Sequence, residues 1–338
     1  MTAEVYFAGS RLETVFPISG VWSNITNTAH FEAAYSDAAI HLASGVHGFY
    51  TPLYTETTGG LSETTHTTGK LYVHFVHRTG PRGSGTNNYH TFLLRDNNDY
   101  PWLRLWGSNG TTFSLSHNTG TGIAPVWTTP YTFTLVNAVL ETYDIEFEIG
   151  SPHTYTFFRN GTPAFSGSFT NAGLTEIKTV LFGQGGDSLV SFSQIIITND
   201  IPTPGAKLKT ARPTAAGANT GWSNTFASVN EPAGSDATVQ NAATTGLVST
   251  HQMTDVTVPV GFEIKSVFNW MRAKNDGAAP TNIKSVLRVG GTDYATDNLP
   301  NMGVGYRPIG ARYNDKPGGG NWTESDWNST EAGYESGT

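Results

Sequence analysis

Residues 143–163 read YDIEFEIGSPHTYTFFRNGTP. Ile145, Phe147 and Ile149 alternate there with Asp144, Glu146 and Glu148, the period-two pattern of a strand with one face buried. A second run, His153 to Arg159, follows it. Asn160-Gly161 then supplies the dipeptide of a two-residue type I′ hairpin, whose central residues both need positive φ. Working outward, Lys70 to Arg78 (KLYVHFVHR) sets Leu71, Val73 and Phe75 against Tyr72, His74 and Val76. Short runs at His90–Leu94, Trp102–Trp106, Thr112–His117, Tyr131–Leu135, Glu176–Phe182 and Val190–Thr198 are separated by Gly-, Asn-, Asp- and Pro-containing segments. No window carries helical apolar spacing over three turns without a Gly, Pro or β-branched interruption. About eight to ten short strands with regular turns predict a β-sandwich rather than a propeller or a βαβ fold.

The whole chain fits that reading. It has 338 residues, 38 of them glycine and none cysteine, with 19 basic against 27 acidic side chains. The length suits two domains of about 150 residues. The missing cysteines exclude a disulfide scaffold, a Cys-ligated zinc site and a thiol nucleophile. A net charge of −8 without Lys/Arg clusters argues against nucleic-acid binding. The N-terminal MTAEVYFAGS lacks the basic and apolar regions of a signal peptide. No apolar run reaches the roughly 18–20 residues of a membrane span, so no membrane insertion is expected.

Asn199 to Ala206 (NDIPTPGA) has the composition of a short, stiff linker. Residues 1–200 hold 8 basic and 15 acidic side chains, the remainder 11 and 12, so the chemistry changes across it. The expected organisation is all-β: a sandwich over 1–200, a linker at 201–205 and a second sandwich over 206–338, with almost no helix. In the second part Phe262 to Ala273 reads as one long strand ended by Lys274-Asn275-Asp276-Gly277. Asn282 to Val289 is expected as its antiparallel neighbour, and Gly290-Gly291 turns the chain toward Tyr294. Val304 to Tyr313 reads as a last strand, and Trp322 to Tyr334 as the place for one helical turn.

The stretch from Tyr143 to Pro163, with Phe192-Ser193-Gln194-Ile195-Ile196-Ile197-Thr198, resembles a concanavalin-A-like or laminin-G-like jelly roll. The resemblance implies that the latter strand returns beside the N-terminal one; it identifies a fold and not a function. Gly205-Ala206-Lys207-Leu208, Pro213 through Trp222 and Val229-Asn230-Glu231 resemble a β domain of structural proteins of tailed bacteriophages and prophages. Arg272 through Gly277, Gly291-Thr292-Asp293-Tyr294 and Trp322-Thr323 continue that pattern. It implies a non-enzymatic virion protein, made in the host cytoplasm, in a tail or tail fibre or decorating the head. Its expected partners are other virion proteins, copies of itself (a trimer is favoured) and a host surface glycan held by the first domain.

Three groups of residues are candidate sites. Asp144, Glu146 and Glu148 resemble the E-x-D-x-E strand of family-16-type glucanases, whose outer carboxylates are nucleophile and general acid. The order here is D-x-E-x-E. One alignment puts Thr142 at the nucleophile; the other makes Asp144 the nucleophile and Glu148 the acid, with Glu146 in the wrong centre. The expectation is the solvated face of a half-buried strand and no catalysis, a glycan depolymerase being the enzyme alternative. Asp96, Asn98 and Asp99 cluster hard oxygen ligands suited to Ca²⁺, or simply make a turn. Trp102, Trp106 and Trp127, with Arg104 and Asn109, could stack on and hydrogen-bond a sugar, or serve as core. His74 and His77 should point to opposite faces of one strand, while His41, His47 and His66 lack metal-ligand spacing.

Overall fold

The computed structural model describes residues 4–9, 16–17, 25–28, 39–42, 49–57, 60–79, 89–108, 112–135, 139–184, 190–223, 225–229, 237–277, 280–299 and 302–338. The chain forms two compact units, Met1–Tyr54 with Glu63–Leu208 and Thr55–Ser62 with Lys209–Thr338. Both are built from antiparallel strands, so the all-β expectation of tandem sandwiches holds.

The first strands are β1 (Glu4–Gly9), β2 (Phe16–Pro17), β3 (Ile25–Thr28), β4 (Ala39–Leu42), β5 (Phe49–Thr57) and β6 (Gly60–Thr64). Next come β7 (Lys70–Thr79), β8 (Tyr89–Arg95), β9 (Pro101–Ser108), β10 (Thr112–Asn118) and β11 (Trp127–Thr134). β12 (Leu140–Glu148), β13 (His153–Arg159), β14 (Thr162–Phe169), β15 (Thr179–Gln184) and β16 (Val190–Asn199) complete the set. One sheet runs β14-β13-β12-β7-β16-β4-β3, with β1 also on β16; the other runs β11-β10-β9-β8-β15-β5-β2, with β6 on β5. β1 beside β16 is the pairing implied by the jelly-roll resemblance. Asn160 and Gly161 take φ of 52° and 76°, as a type I′ turn between β13 and β14 demands.

Aromatic rings join the two sheets. Phe75 of β7 lies 6.0 Å from Phe92 of β8 and 5.3 Å from Phe182 of β15 between ring centroids. Phe49 meets Phe192 at 5.6 Å, and Phe133 meets Phe157 at 5.4 Å. Phe75, Phe92 and Phe182 are fully buried, each contributing about 1.5–3 kcal/mol by leaving water.

In the second unit β17 (Pro213–Thr220), β18 (Val248–Met253), β19 (Val267–Ala273), β20 (Asn282–Val289), β21 (Thr292–Ala295), β22 (Arg307–Tyr313) and β23 (Glu331–Gly337) form two sheets. A five-stranded sheet runs β17-β18-β23-β20-β21, and β19 pairs with β22 in a separate ribbon. Met271 and Ile309 of the ribbon pack with Ile283 and Tyr334 of the sheet. Three expectations are corrected here. β19 begins at Val267, and Phe262 is exposed. Asn282 to Val289 does not pair with β19: it joins β21 and β23, and β19 crosses it instead, Asn269 Nδ2 donating to Ser285 Oγ at 2.8 Å and Gly333 O at 2.9 Å. The eight residues 274–281 are long enough to change sheets, which a tight hairpin turn would forbid. Finally, β22 is not last. The helical turn α1 (Glu324–Asn328), closed by a capping box between Thr323 and Asp326, leads into β23 at the centre of the sheet.

Candidate functional site

Leu103 and Leu105 of β9 enter the core of the first unit, so Trp102, Arg104 and Trp106 alternate to the outer face of the same sheet. One cross-strand row on that face runs Leu181, Leu93, Arg104, Ser116 through β15, β8, β9 and β10. From this row the Arg104 guanidinium reaches over two indoles, its carbon 4.5 Å from the Trp106 ring centroid and 3.9 Å from that of Trp127. Both distances lie within cation–π range. Trp106 is held in place: its Nε1 donates to Ser116 Oγ at 3.0 Å, and Ser116 Oγ pairs with Thr129 Oγ1 at 2.8 Å.

The loop before Trp127 is equally well fixed. Asn118 Oδ1 accepts from Gly120 N at 2.9 Å and Val126 N at 3.0 Å, while its Nδ2 donates to the Pro101 and Thr121 carbonyls. Asn171 Nδ2 reaches across to the carbonyls of Asn118 and Gly120. Gly122 sits against the Tyr100 ring so closely that any Cβ would overlap it. This internal bonding lets the loop hold Ile123 (81% exposed) and Val126 (59% exposed) in solvent on the way into β11. Neither asparagine stood out in the sequence; the only signal was Asn at a strand end before a Gly-containing loop.

Arg104 lacks the partners its neighbours enjoy. Among the described residues none accepts a hydrogen bond from its guanidinium, and its Nε is buried. Burial brings its pKa down to about 10, with no carboxylate among the described residues to offset it. By contrast Arg159 is paired with Glu141, and Arg288 donates to Asp293 at 2.8 Å.

The other glycan candidates part company with this cluster. Trp102 is 1% exposed and donates from Nε1 to Asp96 Oδ2 at 3.0 Å, so its ring is drawn inward and offers no face to a sugar. Asn109 lies outside the described residues. The Asp96 carboxylate is itself occupied: Oδ1 accepts from Asn98 N at 2.8 Å and Tyr100 N at 3.0 Å, and Oδ2 takes the indole. Asn98 and Asp99 are exposed, with Asp99 at φ 62°, the geometry of a turn. Among the described residues no group of three His, Asp or Glu side chains could hold a metal ion.

The carboxylate row lies on the outer face of the other sheet, and there the solvated-face expectation needs correcting. Asp144 is fully buried and meets His74 Nδ1 at 2.8 Å. The cross-strand register of β7 and β12 sets these two directly opposite, with Ile196 of β16 on the far side of His74, and both side chains are buried. Glu146 accepts from Lys70 Nζ at 2.6 Å, and Glu148 from Thr154 Oγ1 at 3.5 Å. His77 points the opposite way from His74, onto Phe192, Tyr143 and Phe113. His66 sits beside Tyr6 and the Gly69 carbonyl, and His47 lies outside the described residues. In the second unit a cavity of about 350 Å³ is lined by Tyr294, Thr296, Tyr313, Asn314, Asp315 and Pro317.

No family model matches the chain, and no curated protein sequence matches it. Among solved structures it is similar to the globular domain of T. cruzi calreticulin, at 12% identity over 58% of this chain and 89% of that one, with a TM-score of 0.39. It is also similar to an endo-β-1,4-glucuronan lyase from the fungus Trichoderma reesei, at 9% identity over 57% and 94%, TM-score 0.41. The receptor-binding domain of botulinum neurotoxin type G matches at 10% identity over 94% and 76%, TM-score 0.38. The fold class rests on the sheet topology described above, and likenesses at this level assign neither ligand nor activity.

Proposed function

We propose that this chain is a non-enzymatic structural protein of a tailed-phage virion, a tail or tail-fibre component whose first unit is a lectin-like module for a host surface glycan. The observation that carries the glycan reading is Arg104 over Trp106 and Trp127 on a fixed sheet face. Indole faces stack on the C–H faces of sugar rings, and the exposed Thr129, bonded to Ser116, and Thr132, in the cross-strand row of Trp106, supply hydroxyls beside them. Pairing of Asp144 with His74 and of Glu146 with Lys70 supports a structural rather than a hydrolytic part for the acidic strand. The virion role rests on the resemblance of residues 205–323 to the phage β domain. Under this reading the chain self-associates, with a trimer favoured, and many weak contacts add by multivalency.

Cryo-electron microscopy of the purified particle tests the virion role: the chain should be traceable in a tail or tail fibre. Density on the head instead would make it a decoration or head-fibre protein, and absence from any particle would end the virion reading. Glycan-array screening of the purified chain tests the lectin role, with Trp127→Ala expected to lose at least about tenfold in affinity if the ring stacks on sugar.

A further inference from the structure

We infer that the glycan held by this cluster is acidic, and that Arg104 grips a carboxylate of one of its sugars. The inference rests on the lectin reading and narrows it to a ligand class. A guanidinium presents five N–H donors in a planar fork, and leaving such donors dry is unfavourable. Arg104 has no acceptor and no acidic partner among the described residues, and its Nε is buried away from solvent. The lowered pKa has burial as its cause, with no compensating charge among the described residues. An arginine needed only to cover the tryptophans could be replaced by an apolar side chain such as methionine without that desolvation.

The surroundings also choose between anions. A free phosphate would need the cation alone, yet here the cation comes with two indoles. Indole rings next to a fork that has no acceptor among the described residues match a ligand that is a stackable ring bearing an anion. Carboxylate oxygens lie in one plane at the spacing of two guanidinium N–H groups, so a uronic-acid-type sugar satisfies fork and rings together.

The test is a glycan array bearing uronate-containing, sialylated, sulfated and neutral glycans, printed twice, once with every carboxyl group converted to its methyl amide. The full chain should bind carboxylate-bearing spots and lose at least about tenfold of that signal on the amidated copy. Arg104→Gln should abolish the difference between the two copies. Arg104→Lys, which keeps the charge but not the fork, should keep only part of it. Circular dichroism and melting temperature of both variants establish that they fold. If Arg104→Gln does not fold, the amidation comparison on the unaltered chain still decides the matter. Binding that is equal on both copies, or confined to neutral or sulfated spots, overturns the inference and leaves the lectin reading standing. A chain that binds no spot on either copy overturns both.

Discussion

The two outer faces of the first unit treat charge in opposite ways. On the sheet with β7 and β12, Asp144 and Glu146 each have a cationic or imidazole partner, and the innermost pair is closed to water. On the sheet with β9 and β10, Arg104 is half-buried and has none among the described residues. A paired buried charge is spent on holding strands in register, whereas an unpaired one remains free to meet something from outside. A row of three acids looks more like a catalytic site in the sequence than one arginine does, yet Asp144 and Glu146 have ionic partners and the arginine has none among the described residues.

Variants can break or sharpen this contrast. The largest expected effect is at Asp144. Asp144→Ala strands His74 in the interior and should destabilise the chain by about 3–5 kcal/mol in urea unfolding, with Asp144→Leu/His74→Phe recovering most of it. An Asp144→Ala loss below about 1 kcal/mol would mean the pair does not hold the sheet. Trp102→Phe removes the hydrogen bond to Asp96 and should cost about 2 kcal/mol while leaving glycan binding intact. That outcome separates Trp102 from Trp106 and Trp127, which share its face.

Acid should act through buried histidines. Burial holds His66, His117 and His251 below the usual imidazole value. The unfolded chain therefore takes up protons near pH 6.5 that the folded chain refuses. Stability is complete above that pH and falls as pH drops toward the folded-state values, so the melting temperature should decline from pH 7 to pH 5. His117→Gln should flatten the slope; a slope left unchanged would remove His117 from the account. At Arg104 the expected change in stability is smaller still, within about 0.5 kcal/mol for Arg104→Gln, although the carboxylate-dependent part of binding is lost. A loss comparable to that of Asp144→Ala would erase the contrast between the faces. Smallest of all is the response to millimolar Ca²⁺, expected to shift the melting temperature by less than about 1 °C, since both oxygens of Asp96 are occupied.

Much of the fold was legible because it is written in local chemistry. Alternation located β7 and β12, and Asn160-Gly161 gave a hairpin with the required positive φ at both residues. Pairing between distant strands was less legible. Nothing in residues 274–281 distinguishes a return from a change of sheets, and β23 (EAGYESG) hides its central position behind polar residues. Gly333 is needed there because the β18 backbone passes too close for a Cβ, a constraint visible only in three dimensions. The candidate site divides in the same way. Strand period placed Trp102, Arg104 and Trp106 on one face, but not which ring would be drawn inward. Trp127 reaches Arg104 from β11, two strands away, through a loop set by Asn118 and Asn171.

The pairing of β1 with β16 has a consequence for how the protein is made. The chain's first described strand finds its neighbour only when residues 190–199 have left the ribosome. At typical translation rates of about 5–20 residues per second, that is a wait of roughly 10–40 s. β16 is also the strand on which β7 and β4 depend, so the first sheet cannot close before then. Nascent chains of this protein should stay protease-sensitive through most of the first unit's synthesis and become resistant in one late step.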